Sequence, residues 1–297
     1  MTDLPTIAFA GIGLMGLPMC RRLLAAGYPL VVWNRSPDKC APLAELGAQI
    51  AETPRELCAT ADIVLLCLAD TAAVREVVFG TDGLAQGGKA GQLLVDHSSL
   101  EPVATRDMAA EPEFRCGMRW VDAPVSGGTA GAEAGTLAIM AGGRVEDIER
   151  VRPVLMNLGQ RVTRMGDIGT GQVTKACNQM IVGCNALVIA EVVALAERCG
   201  VDASQLAPAL AGGFADSKPL QILAPQMAAR EFEPVKWHVR TLLKDLDTAV
   251  KFSREQGSAT PISGLAAQLM RLHGAQGFLA QDPATLVQMY RAPDSTD

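Results

Sequence analysis

Histidine is scarce in this chain of 297 residues: there are three, His97, His238 and His273. None of the eight cysteines (Cys20, Cys40, Cys58, Cys67, Cys116, Cys177, Cys184, Cys199) stands in a CxxC pair, and most lie in apolar stretches, as reduced core thiols do. No metal centre is expected from such a set. An excess of basic residues is also missing. A net charge of −6 and a pI near 5.2 exclude bulk attraction to nucleic acid or an anionic membrane, so any anion must be captured locally. The opening "MTDLPTIAFAG" lacks the basic stretch of a signal or transit peptide. The uncharged run 176 to 190 is short for a bilayer span and carries Asn178, Gln179 and Asn185. These absences point to a soluble, cytoplasmic protein with no nucleic-acid or membrane partner. Low-complexity tracts and internal repeats are lacking too, and the composition is 49% hydrophobic, 20% charged and 4% aromatic, so the chain is expected to build two domains with a substantial core.

What is present reads first as an alternation. "TIAFA" (6 to 10) is a short apolar run broken by "GIGLMG" and followed by the helical pattern "LPMCRRLLAAG". "LVVWN" (30 to 34) predicts a second strand, with Ser36 and Pro37 opening a helix after it, and Thr53, Pro54 and Glu56 form a capping box for another. "DIVLLCL" (62 to 68) and "QLLVDHS" (92 to 98) are continuous apolar runs of strand length, as in parallel sheets buried on both faces. Strands around "WVDAPVS" and "TLAIMAGG", a helix over "VEDIERVRPVLMNLG" and a last strand near "RVTRM" complete the alternation, and from residue 169 the pattern is helical almost throughout. The expected fold class is therefore α/β: a doubly wound, mostly parallel sheet over 1–164, followed by an all-helical domain over 165–297.

Two features carry chemistry. Gly11, Gly13 and Gly16 form GxGxxG after the first strand and at the mouth of a helix, with Ile12, Leu14 and Met15 between them. Such a turn lets a dinucleotide pyrophosphate approach the backbone at a helix N-terminus, which makes these six residues candidate cofactor contacts. The second strand ends on Asn34, Arg35 and Ser36, with no carboxylate to bind a ribose 2′-hydroxyl, so NADP is expected, with NAD as the alternative. The second feature is "GTGQVTKACNQMIVGCNALVIAE" (169 to 191), in which Lys175 is the lone charge before Glu191. A buried ammonium is costly, so this lysine either snorkels to water or has a function that repays its burial. On a helix, Asn178 and Gln179 share its face at i+3 and i+4, toward a common ligand or a neighbouring helix.

"GIGLMG", "VVWNRS", "DHSSLEP", "DAPVSGG", "GTGQVTKACNQ" and "LLKDLDTA" occur in the order and approximate spacing of the β-hydroxyacid dehydrogenases, and the chain resembles that family over nearly its whole length. The resemblance implies a Rossmann-type first domain and hydride exchange between NAD(P) and a small β-hydroxy or β-oxo carboxylic acid. It makes Lys175 the catalytic acid/base, a role that suits a lysine whose pKa is depressed by an apolar setting. It makes Ser126, Gly127 and Gly128 the holders of the substrate carboxylate, with Asn178, Gln179 and, more weakly, Ser217 as further substrate contacts. Ser98, Ser99 and Lys244 match cofactor contacts, with Asp245 beside Lys244 to hold it. Family members with Asn-Gln at 178 and 179 act on tartronate semialdehyde, so that is the first expected substrate, ahead of 3-hydroxyisobutyrate. The family also implies a homodimer or homotetramer. A non-catalytic NADP-binding module and an imine reductase are the rival readings, and the retained lysine counts against both.

Overall fold

The structure, a computed structural model, describes residues 4–290. It divides into two compact units, the first running through Lys175 and the second from Ala176. The sequence pattern had set the domain limit at 164/165. The last strand ends at Gly166, and the division falls inside the helix that follows.

The first unit is a nine-stranded sheet: β1 (Ile7–Ala10), β2 (Leu30–Trp33), β3 (Gln49–Ile50), β4 (Ile63–Leu66), β5 (Leu93–Asp96), β6 (Arg119–Asp122), β7 (Val125–Ser126), β8 (Leu137–Gly142) and β9 (Gly159–Gly166). Its longer helices are α1 (Gly16–Ala25), α2 (Thr71–Phe79), α3 (Pro102–Cys116), α4 (Val145–Leu155) and the start of α5 (Thr170–Arg198). The spatial order is β3-β2-β1-β4-β5-β6-β8-β7, with β9 also on β8. All pairings are parallel except those of β8 with β6 and β7. This is the doubly wound, mostly parallel sheet that the alternation predicts.

Side chains along a strand alternate between two cores. Ile7 and Phe9 of β1 join Met19 and Leu23 of α1 and Ile148 and Leu155 of α4. Ala8 and Ala10 face the other way, toward Val74 and Val78 of α2 and Met108 of α3. Both faces being covered explains why the strands read as unbroken apolar runs. The expected single strand over "WVDAPVS" is two, β6 and β7, because Pro124 has no N–H for a ladder and breaks the run. β3, two exposed residues, was not foreseen; it is too short to carry a period.

Strand register aligns the functional edge. Trp33, Ala10, Leu66, Asp96 and Asp122, the last residues of five strands, stand in one row. Four of the residues that follow donate their N–H across to that row: Gly11 to Trp33 O at 3.0 Å, Cys67 to Ala10 O at 3.0 Å, His97 to Leu66 O and Ala123 to Asp96 O at 2.8 Å. Ligands of doubly wound sheets gather at such a carboxyl edge.

The second unit packs the rest of α5 with α6 (Lys218–Ala229), α7 (Val239–Glu255) and α8 (Pro261–Ala275). Ala186, Leu187, Ala190 and Val193 of α5 meet Leu223 and Met227 of α6, Leu242 and Leu246 of α7 and Met270 of α8. Gly183 lets α7 come close to α5, since a Cβ there would lie 2.7 Å from Leu246 Cδ1. The sequence reading took the run 176–190 as too short to span a membrane. The helix containing it has 29 residues and is long and apolar enough to cross one by length and composition. Its packing argues otherwise, because one face of α5 is built into this core.

Candidate active site

In the glycine turn each glycine answers a different demand. Gly11 has φ +104°, and a Cβ there would sit 2.3 Å from Cys67 O of the next strand's end. A Cβ on Gly16 would lie 1.9 Å from Gly11 O, so only glycine lets α1 close onto the turn. Gly13 is exposed, and a Cβ there would meet nothing within 4 Å, so the space beside it is open to a ligand. Leu14 is 70% exposed, Met15 is half-buried and Ile12 is buried. The turn thus fits the pyrophosphate of a nicotinamide dinucleotide: tight where the chain must pack and bare where phosphate must approach.

Asn34 holds this turn. Its Oδ1 accepts the Ile12 N–H at 3.0 Å and its Nδ2 donates to Ser36 O at 2.9 Å. Its amide therefore ties the end of β2 to the glycine turn. Arg35 and Ser36 are exposed beside it, and Ser36 precedes a short 3₁₀ turn (Pro37–Cys40) without a side-chain capping bond. Ser98, expected as a cofactor contact, is buried: its hydroxyl accepts the Leu68 N–H at 2.9 Å, and its N–H donates to Asp96 Oδ1 at 2.9 Å. Ser99 is half-buried next to it.

Lys175 lies on the second turn of α5, and its Nζ donates to Val125 O at 2.9 Å. The start of that helix is anchored by a residue outside the expected site. Asp122, at the end of β6, accepts the Gly169 N–H through Oδ1 at 2.7 Å and the Gln172 N–H through Oδ2 at 2.8 Å. Gly169 has no side chain with which to cap the helix, and a carboxylate from 47 residues upstream takes that role, where it also complements the helix dipole. Room for it is made by glycines: a Cβ on Gly142 would be 2.4 Å from Asp122 Oδ1, and one on Gly171 would be 2.7 Å from Oδ2. Gln172 adds a second tie, accepting the Leu100 N–H at 3.0 Å and donating to Ser98 O at 2.8 Å. The segment 122–126 therefore grips α5 twice, at its first N–H groups and at the lysine. It also carries Ser126, half-buried on β7, one residue from the carbonyl that holds Lys175. Gly127 and Gly128 follow with φ +141° and +64°, conformations that favour glycine, and the space at Gly128 is open.

Burial dominates the titration of this edge. It pushes the Asp122 carboxyl up to about 6 although backbone N–H groups of Gly169, Gln172 and Gly171 favour its charged form. Asp96 rises to about 7 from burial, opposed by its bonds from Ser98 and reinforced by the charge of Asp122. His97 is pushed down to about 4 and stays neutral. Its Nδ1 is 2.8 Å from Ala123 O, which can only accept, so the ring proton sits on Nδ1. Burial raises the Cys67 thiol to about 12, which rules it out as a nucleophile at neutral pH.

The second unit contributes a polar cluster of its own. Asn178 Nδ2 donates to Gln179 Oε1 at 2.8 Å, Gln179 Nε2 donates to Asp245 Oδ2 at 2.6 Å, and Lys244 Nζ lies 3.1 Å from Asp245 Oδ1. The Gln179 amide thus makes the helix-to-helix bond, and Asp245 joins α5 to Lys244 on α7. Ser217 is the N-cap of α6, accepting the Leu220 N–H at 3.2 Å. Among the described residues no group of His, Cys, Asp and Glu is placed to hold a metal ion.

Comparison with known proteins follows the same division. Residues 6–166 match the family described as the NAD binding domain of 6-phosphogluconate dehydrogenase, and residues 169–290 match the NAD-binding family of NADP-dependent 3-hydroxyisobutyrate dehydrogenase. The chain is 36% identical to the 2-hydroxy-3-oxopropionate reductase of Escherichia coli, over 95% of this chain and 96% of that one. It is 34% identical to the 3-hydroxyisobutyrate dehydrogenase of Pseudomonas aeruginosa, over 99% and 100%. The solved structure of Mycobacterium tuberculosis 3-hydroxyisobutyrate dehydrogenase with L-serine superposes with a TM-score of 0.87 at 30% identity, covering 97% of this chain and 100% of that one.

Proposed function

Because this chain belongs to the NAD(P)-dependent β-hydroxyacid dehydrogenase family, we propose that it is an NADP-preferring reductase of tartronate semialdehyde, with Lys175 as its acid/base. The observation that carries the reading is Lys175 itself, bound through Nζ to Val125 O on a helix whose start is locked by Asp122. The nicotinamide, when bound along the glycine turn, supplies or takes the hydride. Lys175 gives a proton from Nζ to the substrate's carbonyl oxygen in reduction and recovers it from the hydroxyl in oxidation. The Val125 carbonyl fixes where that proton is offered, and Ser126 with the backbone of Gly127 and Gly128 holds the carboxylate. Asn178 and Gln179 are taken as further substrate contacts, and Gln179 and Lys244 are kept in place by Asp245. The Escherichia coli relative supports tartronate semialdehyde, while the full-length match to the Pseudomonas enzyme favours 3-hydroxyisobutyrate as the second reading. On the same reading the enzyme works in the cytoplasm as a homodimer or homotetramer.

Steady-state rates on both substrates with both coenzymes test this directly. Lys175→Ala lowers kcat by a factor of ~10²–10⁴, the usual loss for a general acid, while NADPH binding persists. Lys175→Arg keeps the charge but cannot release its proton, so near-normal turnover in that variant would overturn the role. Arg35, exposed at the end of β2, pairs the 2′-phosphate; Arg35→Ala raises KM for NADPH and leaves KM for NADH nearly unchanged. Equal losses with both coenzymes would remove the phosphate contact.

A further inference from the structure

Two helices of the first unit follow glycine turns that the proposed chemistry uses: α1, and a short helix, Gly128–Ala134, that comes after Ser126 and Gly127. Arg22, in the last turn of α1, ties their far ends together. Its Nε donates to Asn157 O at 2.6 Å and its Nη1 to Glu133 O at 3.1 Å. Glu133 lies in the last turn of the short helix, where carbonyls have no helical N–H left to accept, and a cation there also meets the negative end of the helix dipole. Asn157 lies in the turn between α4 and β9. Glycine makes the seat for the guanidinium: Gly135 ends the short helix at φ +68°, and a Cβ on it would lie 2.3 Å from Arg22 Cζ. On its outer side Arg22 borders an open hollow of about 510 Å³ with Pro18, Arg21 and Ala25, so removing its side chain would leave no closed cavity.

Packing alone does little to fix the short helix. It buries Gly131 and Ala132, and Ala132 meets the core of Met19 and Leu23 with a single methyl group. So smooth a contact lets a helix slide, whereas two hydrogen bonds from one planar guanidinium define a position. The helix has seven residues and is ~10 Å long, so a displacement at Glu133 is felt at Gly128. We propose that Arg22 is a positioning residue for the substrate: it clamps the short helix to α1 and so holds the Ser126–Gly128 backbone ready before a carboxylate arrives, a role that rests on reading that backbone as the carboxylate holder. Without the clamp, part of the binding energy goes into ordering the loop, and the loop once ordered supports the same chemistry.

Arg22→Met, similar in reach and without donors, tests this in the full chain. KM for tartronate semialdehyde is expected to rise about tenfold while kcat falls by less than about twofold, the signature of lost binding that is uniform along the reaction. Kd for NADPH stays at the wild-type value, because the glycine turn lies at the other end of α1. Gly135→Ala, which keeps the arginine but fills its seat, raises KM in the same sense. Amide hydrogen exchange of the free protein, which needs no substrate, accelerates in peptides covering 126–136 and is unchanged in those covering β4 and β5. Wild-type KM in both variants, or wild-type exchange at 126–136 with only a lower melting temperature, would make Arg22 a stabilising residue and overturn the role. Weakening of NADPH binding by the same factor as KM would show that α1 itself has moved and would overturn it too. A wild type inactive on both tartronate semialdehyde and 3-hydroxyisobutyrate would overturn the substrate reading alone, since exchange at 126–136 still decides the role of Arg22.

Discussion

Asp122 in the first unit and Asp245 in the second are both buried carboxylates bonded to α5, one to backbone N–H groups and the other to a side chain. The difference decides what each can control. Backbone N–H groups at a helix start cannot turn away, so Asp122 sets where α5 begins and hence where Lys175 lies, a turn and a half further on. Asp245 is held among side chains that have other rotamers, and Lys244 beside it is 37% exposed, so water can replace part of what it supplies. Asp122 positions a helix, and Asp245 positions the groups that the helix carries.

Asp122→Asn breaks the stronger arm of that comparison. An amide keeps one acceptor and presents an NH₂ to a backbone N–H, leaving a buried donor unsatisfied at a cost of about 2 kcal/mol. Urea unfolding is expected to show that loss, and kcat to fall on the order of tenfold as Lys175 shifts, with a smaller change in coenzyme KM. A variant with normal stability and normal kcat would show that α5 is held elsewhere. Asp245→Asn tests the weaker arm. The amide oxygen still accepts from Gln179, while the NH₂ set against the Lys244 ammonium ends that pairing and the part-exposed lysine turns to water, so stability changes by about 1 kcal/mol or less. Substrate or coenzyme KM rises more than kcat falls, since orientation rather than proton transfer is affected. If Asp245→Asn proves the more destabilising of the two, the distinction between backbone and side-chain anchoring does not hold here.

The same distinction separates what could be read from the sequence. The glycine turn, most of the alternating strands and the capping box at Thr53 are local and stand where the pattern puts them; Thr53 Oγ1 accepts the Glu56 N–H at 3.1 Å. Lys175 was legible because an isolated charge in an apolar helix is conspicuous. Its partner was not, since Val125 contributes only a carbonyl, which every residue has. Asp122 and Gln172 were missed as anchors because their bonds join segments 50 and 72 residues apart along the chain. Asn34, a candidate cofactor contact, has its amide engaged with Ile12 and Ser36; Ser217, a weaker substrate candidate, caps α6 through its hydroxyl. In each case a short polar residue at a strand or helix end has both uses open to it, and only the neighbouring backbone decides.

Two buried histidines, one in each unit, differ in what their rings are bonded to. His97 is bonded to a backbone carbonyl, whereas His273 Nε2 lies 2.9 Å from Thr285 Oγ1. The Thr285 hydroxyl already gives its hydrogen to Asp282 O at 2.7 Å, so His273 must donate through Nε2, and its Nδ1 is left bare and buried. A second proton would find no acceptor there, and burial holds the ring's pKa down to about 4 from 6.5. The unfolded chain therefore takes up a proton near pH 6.5 that the folded chain refuses until about pH 4, so the contribution of His273 is fully present above pH 6.5 and is lost as pH falls through that window. His273→Gln retains a donor for Thr285 but cannot titrate. Losing its stacking on Phe278, 4.2 Å between ring centroids, lowers stability at every pH. The informative quantity is the slope. Between pH 4.5 and 6.5 the unfolding free energy of the variant should vary less steeply than that of the wild type, by at most about 1.4 kcal/mol per pH unit, the limit for one proton. Equal slopes in urea titrations across that range would mean that His273 is protonated as readily in the folded protein as in the unfolded chain, and that its bare nitrogen has an acceptor after all.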